Sequence, residues 1–379
     1  MSLVVLGCGS RAPVSGVDGG DVGQTLPWTL PHRVGAGAGH TCAAWGSGSV
    51  GCWGTNKDNE LGDGSETDRP RPGPVLGIPG AWAVSAGSYH TCALAADDTV
   101  FCWGWNVSGQ LGDGTTVNRA TAFQVPGVVS AKAVAAGDGH SCALVQDGSA
   151  RCWGQNDLGQ LGDGSNVERG HPVNVFSLPT ATDIAASGSH TCALIADGTV
   201  QCWGGNSRGE LGDGTTLPHS FPEPVTGLTN ATAIAAGFNH TCALLTGGQV
   251  SCWGANSYGQ LGNGTTTDSL VPVAVKGLPI AKSIGAGYQH TCAALADGSA
   301  QCWGWNDGGE LGDGTLVSRP LPAPVPGIAR VTAIVGGGFH TCAVTTAGTL
   351  YCWGANESGQ LGAGTVTPNE PDPIAISPG

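Results

Sequence analysis

The chain has 379 residues, and 28 Asp and Glu against 14 Lys and Arg give it a net charge of −14 at pH 7. With 40% hydrophobic and only 11% charged residues it has the wrong balance for a fully disordered chain, and its scattered bases cannot neutralise a run of phosphates, so nucleic acid is not expected as a partner. Its 66 Gly have no Gly-X-Y period, which argues against collagen and long helices and for tight turns, and no apolar stretch reaches the ~20 residues of a membrane helix.

The first residues, Met1 to Cys8, read M-S-L-V-V-L-G-C. Val5-Leu6-Gly7-Cys8 resembles the bacterial lipobox, whose Cys is lipidated after signal cleavage. A basic n-region is missing, and the apolar run is short of a full h-region. Two readings stand: the tail of a signal with a lipid anchor at Cys8, or an ordinary terminus. Residues 1–20 are therefore set apart as a signal remnant and linker. Residues 21–379 are assigned to one folded domain.

A repeat governs that domain. His40, His90, His140, His190, His240, His290 and His340 stand 50 apart, each followed by Thr-Cys or, at Ser141, Ser-Cys. Trp53 to Trp353, Asn56 to Asn356 and the Leu-Gly pairs from Leu61 keep the same interval. Seven copies fill about 31–377. In the copy beginning at Thr182, a short apolar run at Ile184–Ala186 precedes a turn. Two strands, His190–Ile195 and Thr199–Gly204, flank Ala196-Asp197-Gly198, a three-residue hairpin loop closed by a left-handed residue. Asp98 replaces that Gly once, and Asp tolerates the conformation better than most residues. A fourth strand is predicted near Pro172–Val175 and its copies. Four short strands per 50 residues, with no sustained 3.6-residue period, predict an all-β, seven-bladed β-propeller of four-stranded antiparallel blades.

The units G-x-x-H-T, D-G-x-V-x-C-W-G-x-N and G-Q-L-G-D-G-T resemble repeats of the regulator of chromosome condensation family, over some 350 residues. The resemblance implies a seven-bladed propeller. It leaves function open, because the family includes exchange factors, a photoreceptor and a secreted inhibitor. The photoreceptor carries Trp beside the Gly of G-x-x-H-T, and this chain does not. No insertion forms a nucleotide-displacing wedge, and no basic tail is present. Family relatives commonly have the His without either Cys, which implies a structural His.

Alternation along the strands places His190, Cys192 and Leu194 on one face, and Val200 and Cys202 share a face on the return strand. The hairpin sets Cys192 opposite Cys202, within reach of a disulfide. The expected pairs are Cys42–Cys52, Cys92–Cys102, Cys142–Cys152, Cys192–Cys202, Cys242–Cys252, Cys292–Cys302 and Cys342–Cys352. Reduced, buried Cys in a cytosol is the rival reading; a His-x-Cys…Cys zinc site is another, but lacks a fourth ligand. Pairing in every unit, with Cys8 left over, points to a secreted or envelope lipoprotein of bacterial type. Asp113, Asp163, Asp213 and Asp313 are expected to accept backbone N–H bonds in the loop after the third strand. Residues 21–30 could add a strand to the last blade or cap it, while Pro373–Ile376 already resembles its fourth strand.

No phosphate loop, nucleophile elbow or metalloprotease motif is present, and no pattern calls for a cofactor or metal. A catalytic His is normally unique, whereas these occur seven times. The informative positions are those that escape the repeat. Before each His stand variable pairs, which place Tyr89, Phe238, Tyr288 and Phe339 on one end of the ring. After each C-W-G strand stands a second variable set, with Trp105 and Trp305. These six are the expected contacts for a protein partner. The sequence thus predicts a non-enzymatic binding or scaffold propeller outside the cytoplasm. The alternative is a guanine-nucleotide-exchange-type regulator of a small GTPase in a reducing compartment.

Overall fold

A computed structural model describes residues 34–46 and 48–377. They form seven four-stranded antiparallel sheets, each drawn from one continuous stretch of chain and each ordered as in the sequence. The blades, numbered one to seven, span 34–74, 81–124, 131–174, 181–224, 231–274, 281–324 and 331–376. The fold is the seven-bladed propeller that the repeat predicts. The first blade takes all its described strands from its own repeat, and the last blade ends in Thr367–Ile376. The expectation for residues 21–30 lies outside the described residues, as do Cys8 and residues 1–20.

Blade four shows how the sequence makes a sheet. Its strands are Ala181–Ser187, His190–Ile195, Val200–Gly204 and His219–Pro224. Cys192 lies directly opposite Cys202 in the register of the central hairpin. Their Cα atoms are 4.1 Å apart and bridged by a disulfide. The other six repeats carry the same bridge, with Cα separations of 4.1–4.2 Å. This consumes both thiols of the conceivable zinc set. In blade two Asp98 takes a left-handed φ of 65° at the hairpin loop, where the other copies use Gly.

The outer strand begins three residues earlier than its apolar residues suggest, at Arg169 rather than Pro172. Its polar first residue pairs with the last Gly of the C-W-G strand, across a register shift. That start is set by this backbone pairing, since blade five begins its outer strand at the equivalent Ser269 with no ion pair; in five other blades a base on the first residue also reaches the loop Asp. Asp163 accepts from Arg169 at 3.1 Å, and Asp63, Asp113 and Asp313 pair likewise with Arg69, Arg119 and Arg319. His219 takes the role opposite Asp213. Where the acid is absent, at Asn263 and Ala363, the base is absent too, at Ser269 and Asn369.

Blades join through small-against-large packing. Cys192, Leu194, Val200 and Cys202 of blade four pack on Ala243 and Trp253 of blade five. The seven Trp of the C-W-G strands are fully buried, and each removes ~150–250 Å² from water. The Leu-Gly pair exists for this contact. A Cβ on Gly212, at φ 70°, would sit 2.7 Å from the Trp253 ring.

A hydrogen-bond relay repeats at every seam. His190 Nε2 meets the Thr241 hydroxyl of the next blade at 2.9 Å. Thr241 in turn donates to the Glu210 carbonyl at 2.9 Å, and Trp253 Nε1 donates to the same oxygen at 2.9 Å. The carbonyl can only accept, so the hydroxyl spends its one proton there. The Thr oxygen must then accept from His. Each of the seven repeated His, from His40 to His340, is thereby fixed as the neutral tautomer with its proton on Nε2 and a bare Nδ1. The last seam is equivalent: His340 Nε2 donates to Thr41 at 2.7 Å, while Thr41 and Trp53 donate to the Gln360 carbonyl at 2.8 and 2.9 Å.

The relay can be tested at one seam. Thr191→Val keeps the shape but leaves the His140 N–H without an acceptor. It is expected to cost about 1–3 kcal/mol. Thr191→Ser, which reproduces the natural blade-three residue Ser141, should cost well under half of that. Chemical denaturation of the two variants measures the difference, and equal losses would count against the relay.

Candidate binding face

The first-to-second strand turns and the loops after the third strands open on the same end of the ring. Backbone bonds join them, as in Trp105 N to the Tyr89 carbonyl and Trp305 N to the Gln289 carbonyl. The loops are held from beneath by one Asn per blade. Asn206 Oδ1 accepts from Leu211 N at 3.0 Å, and its Nδ2 donates to the Thr215 and Leu217 carbonyls at 3.2 and 3.0 Å. Asp213 adds the expected bond from Thr215 N at 2.8 Å. Asp113, Asp163 and Asp313 accept from the equivalent backbone N–H groups at 2.9–3.0 Å. Burial opposes ionisation of Asp213, but bonds from Thr215, Asn206 and His219 outweigh it and hold its carboxyl below the usual range. These loops are therefore rigid platforms.

The structure brings all six sequence-selected aromatics to this end, in two groups. Phe238 and Tyr288 have ring centroids 4.8 Å apart, and Tyr288 and Phe339 5.3 Å. Trp305 meets Phe339 at 5.4 Å, and Tyr258 meets Trp305 at 6.1 Å. This arc runs over blades five to seven. Tyr89 and Trp105 form a separate pair on blade two, 5.6 Å apart. The two variable sets thus merge into one surface. Tyr258, outside the six, belongs to it as well.

Their exposure is uneven. Tyr89, Tyr258 and Phe339 are exposed at 42%, 40% and 37%, whereas Phe238, Tyr288, Trp105 and Trp305 are half-buried. Tyr288 reaches across the mouth of the central channel, and its hydroxyl meets Ser88 Oγ on blade two. Burial raises the phenol's pKa above its ordinary value. The Ser88 bond opposes this, while Asp138 and Tyr89 add to the rise. Below this bridge the channel encloses about 470 Å³, lined mainly by Ala, Gly and Val of the innermost strands. The seven His lie outside it, fully buried, and burial lowers their pKa to about 3 or 4. They are neutral struts, equivalent in all blades.

Sequence reasoning missed three buried acids. The residue before each Leu-Gly is Gln in four blades and Glu at Glu60, Glu210 and Glu310. Its side chain accepts a backbone N–H two residues earlier, as Gln160 does from Leu158 and Glu310 from Gly308, both at 3.0 Å. Burial raises the carboxyls of Glu60 and Glu310 to about 7, and that of Glu210 in the same direction. The alternation of Glu with Gln was the available signal.

The folded state thus keeps protons on Glu60 and Glu310 that the unfolded chain releases near 4.5. The stability they contribute is present below pH 4.5 and lost as pH rises through about 7. Glu60→Gln with Glu310→Gln should therefore raise the melting temperature by roughly 4 °C or more at pH 8, with a much smaller gain at pH 5. Calorimetry at both pH values decides; equal gains would refute the buried-acid account.

The RCC1-like domain profile matches residues 49–378. Among solved structures, yeast RCC1 (Prp20) bound to Kap60 is similar at 22% identity and TM-score 0.77, over 97% of this chain and 90% of that one. Prp20p from Saccharomyces cerevisiae, described with its binding to Gsp1p and histones, aligns at 25% identity and TM-score 0.77, over 93% and 87%. Human WBSCR16 aligns at 22% identity and TM-score 0.79, over 87% and 94%. No curated protein sequence matches this chain significantly.

Proposed function

This chain belongs to the RCC1-like domain family, and we propose that it serves there as a non-enzymatic, protein-binding propeller working outside the cytoplasm. One observation carries the reading: the variable aromatics gather on one end of the ring, while the seven-fold repeated residues are buried. The His that could suggest catalysis occur in seven equivalent settings and are committed to seams. Rigid loops lose little ordering entropy when a partner docks. Seven hairpin disulfides suit an oxidising environment, which supports a secreted or envelope-anchored protein, with Cys8 as the proposed lipid site.

A second reading draws on the likeness to Prp20p, described with its binding to Gsp1p: regulation of a small GTPase by nucleotide exchange. It would require the same fold to work with its Cys reduced. The disulfides favour the first reading.

The face is tested by co-purification from the native host, comparing wild type with Tyr288→Ala plus Phe238→Ala. The double variant is expected to lose its specific partner while keeping its circular dichroism spectrum. Unchanged recovery of every partner would reject the face, and stoichiometric capture of a nucleotide-free GTPase would favour exchange.

A further inference from the structure

The aromatic face is also the electrostatically one-sided end of the ring. Its loops carry Asp157, Asp307 and Glu357 exposed and Asp58 and Asp138 half-buried. Arg208, which could offset them, is tied to Asp268 at 2.6 Å. The Arg residues at the outer-strand starts are spent on the loop Asp residues. Among the described residues, Lys57 is the one unpaired base in these loops. Asp138 follows the channel-lining Gly137 in the first-to-second strand turn of blade three, and its N–H donates to the Gly188 carbonyl at 3.1 Å. Among the described residues its carboxylate has no ion pair, and Asp307, two residues beyond Trp305, has none either. The opposite end is more balanced. Its Asp97, Asp147, Asp197 and Asp297 cap their own hairpins, and Lys276, Lys282 and Arg330 lie among the strands and connections there.

Aromatic faces with unpaired carboxylates beside them attract cations twice over. The ring quadrupole draws an ammonium or guanidinium placed over it, and the acidic field draws it from further away. The same field repels phosphate. We propose, on the basis of the binding-face reading, that the partner presents a cationic Lys/Arg-rich peptide segment. One basic side chain would lie against Phe339 and Trp305, and another near Asp138 at the mouth.

The test uses the full chain and a fluorescein-labelled octapeptide of alternating Lys and Arg, followed by fluorescence anisotropy. An octa-Glu peptide and maltohexaose, as an unlabelled competitor, serve as comparison arms. Binding of the basic peptide should weaken about tenfold or more in Phe339→Ala plus Trp305→Ala. Asp138→Asn plus Asp307→Asn, which leaves the rings in place, should weaken it about three- to tenfold and flatten its salt dependence. Phe176→Ala, on an exposed ring elsewhere, should bind as wild type. The inference fails if the basic peptide does not bind. It fails equally if all variants lose the same amount, or if maltohexaose displaces the peptide through the same rings. If the co-purified partner is lost in Tyr288→Ala plus Phe238→Ala while the basic peptide never binds, the face stands and its cationic specificity falls. If neither experiment responds to the rings, both readings fall.

Discussion

The structure depends on a shared carbonyl at each seam. One backbone oxygen of the Gln or Glu before Leu-Gly accepts from the Thr hydroxyl and from the Trp indole of the next blade. That double acceptance forces the Thr oxygen to receive the His proton, so a single atom decides the tautomer of a residue on another strand. Each bond is worth only about 1 kcal/mol net. Buried and repeated at all seven seams, however, the bonds make misregistered stacking costly, because any slip leaves several desolvated polar groups unpaired. A ring has no end at which such an error could relax, and the last seam is bonded like the others.

This constraint explains where variation is permitted. Positions that touch a seam are identical or nearly so in all copies: His, Thr or Ser, Cys, Trp, Leu and Gly. Loop positions that touch only solvent or neighbouring loops are free, and there the chain places rings and acids. Stability and recognition are thereby separated in space, the first in the seams and hairpin disulfides, the second on one rim. The Glu residues at Glu60, Glu210 and Glu310 break this separation mildly, because their backbone carbonyls serve the seam while their side chains are buried acids.

Much of this could be read from the residues themselves. The 50-residue period supplied blade number, strand order and the Cys partners, because period-two alternation and hairpin length leave little choice of register. Asp98 in the left-handed loop position followed from its chemistry. The outer strand starts three residues before its apolar run, because its first residue pairs through the backbone with the last Gly of the C-W-G strand, at Ser269 as at Arg169. The contact from that residue to the loop Asp is legible in the sequence only as the joint loss of base and acid at Asn263–Ser269 and Ala363–Asn369. Of the binding face, the common end of the six aromatics was accessible from topology. Their packing was not: Tyr288 bridging to Ser88 and the merger of Trp305 with Phe339 join blades whose separation only the closed ring defines.

The most direct measurement of the seam relay is an imidazole 15N–1H correlation spectrum recorded between pH 5 and 8. The account requires the seven seam His, His40 to His340 at intervals of 50, to show protonated Nε2, unprotonated Nδ1 and no titration across that range. Signals from these residues that titrate near 6.5, or that place the proton on Nδ1, would contradict it.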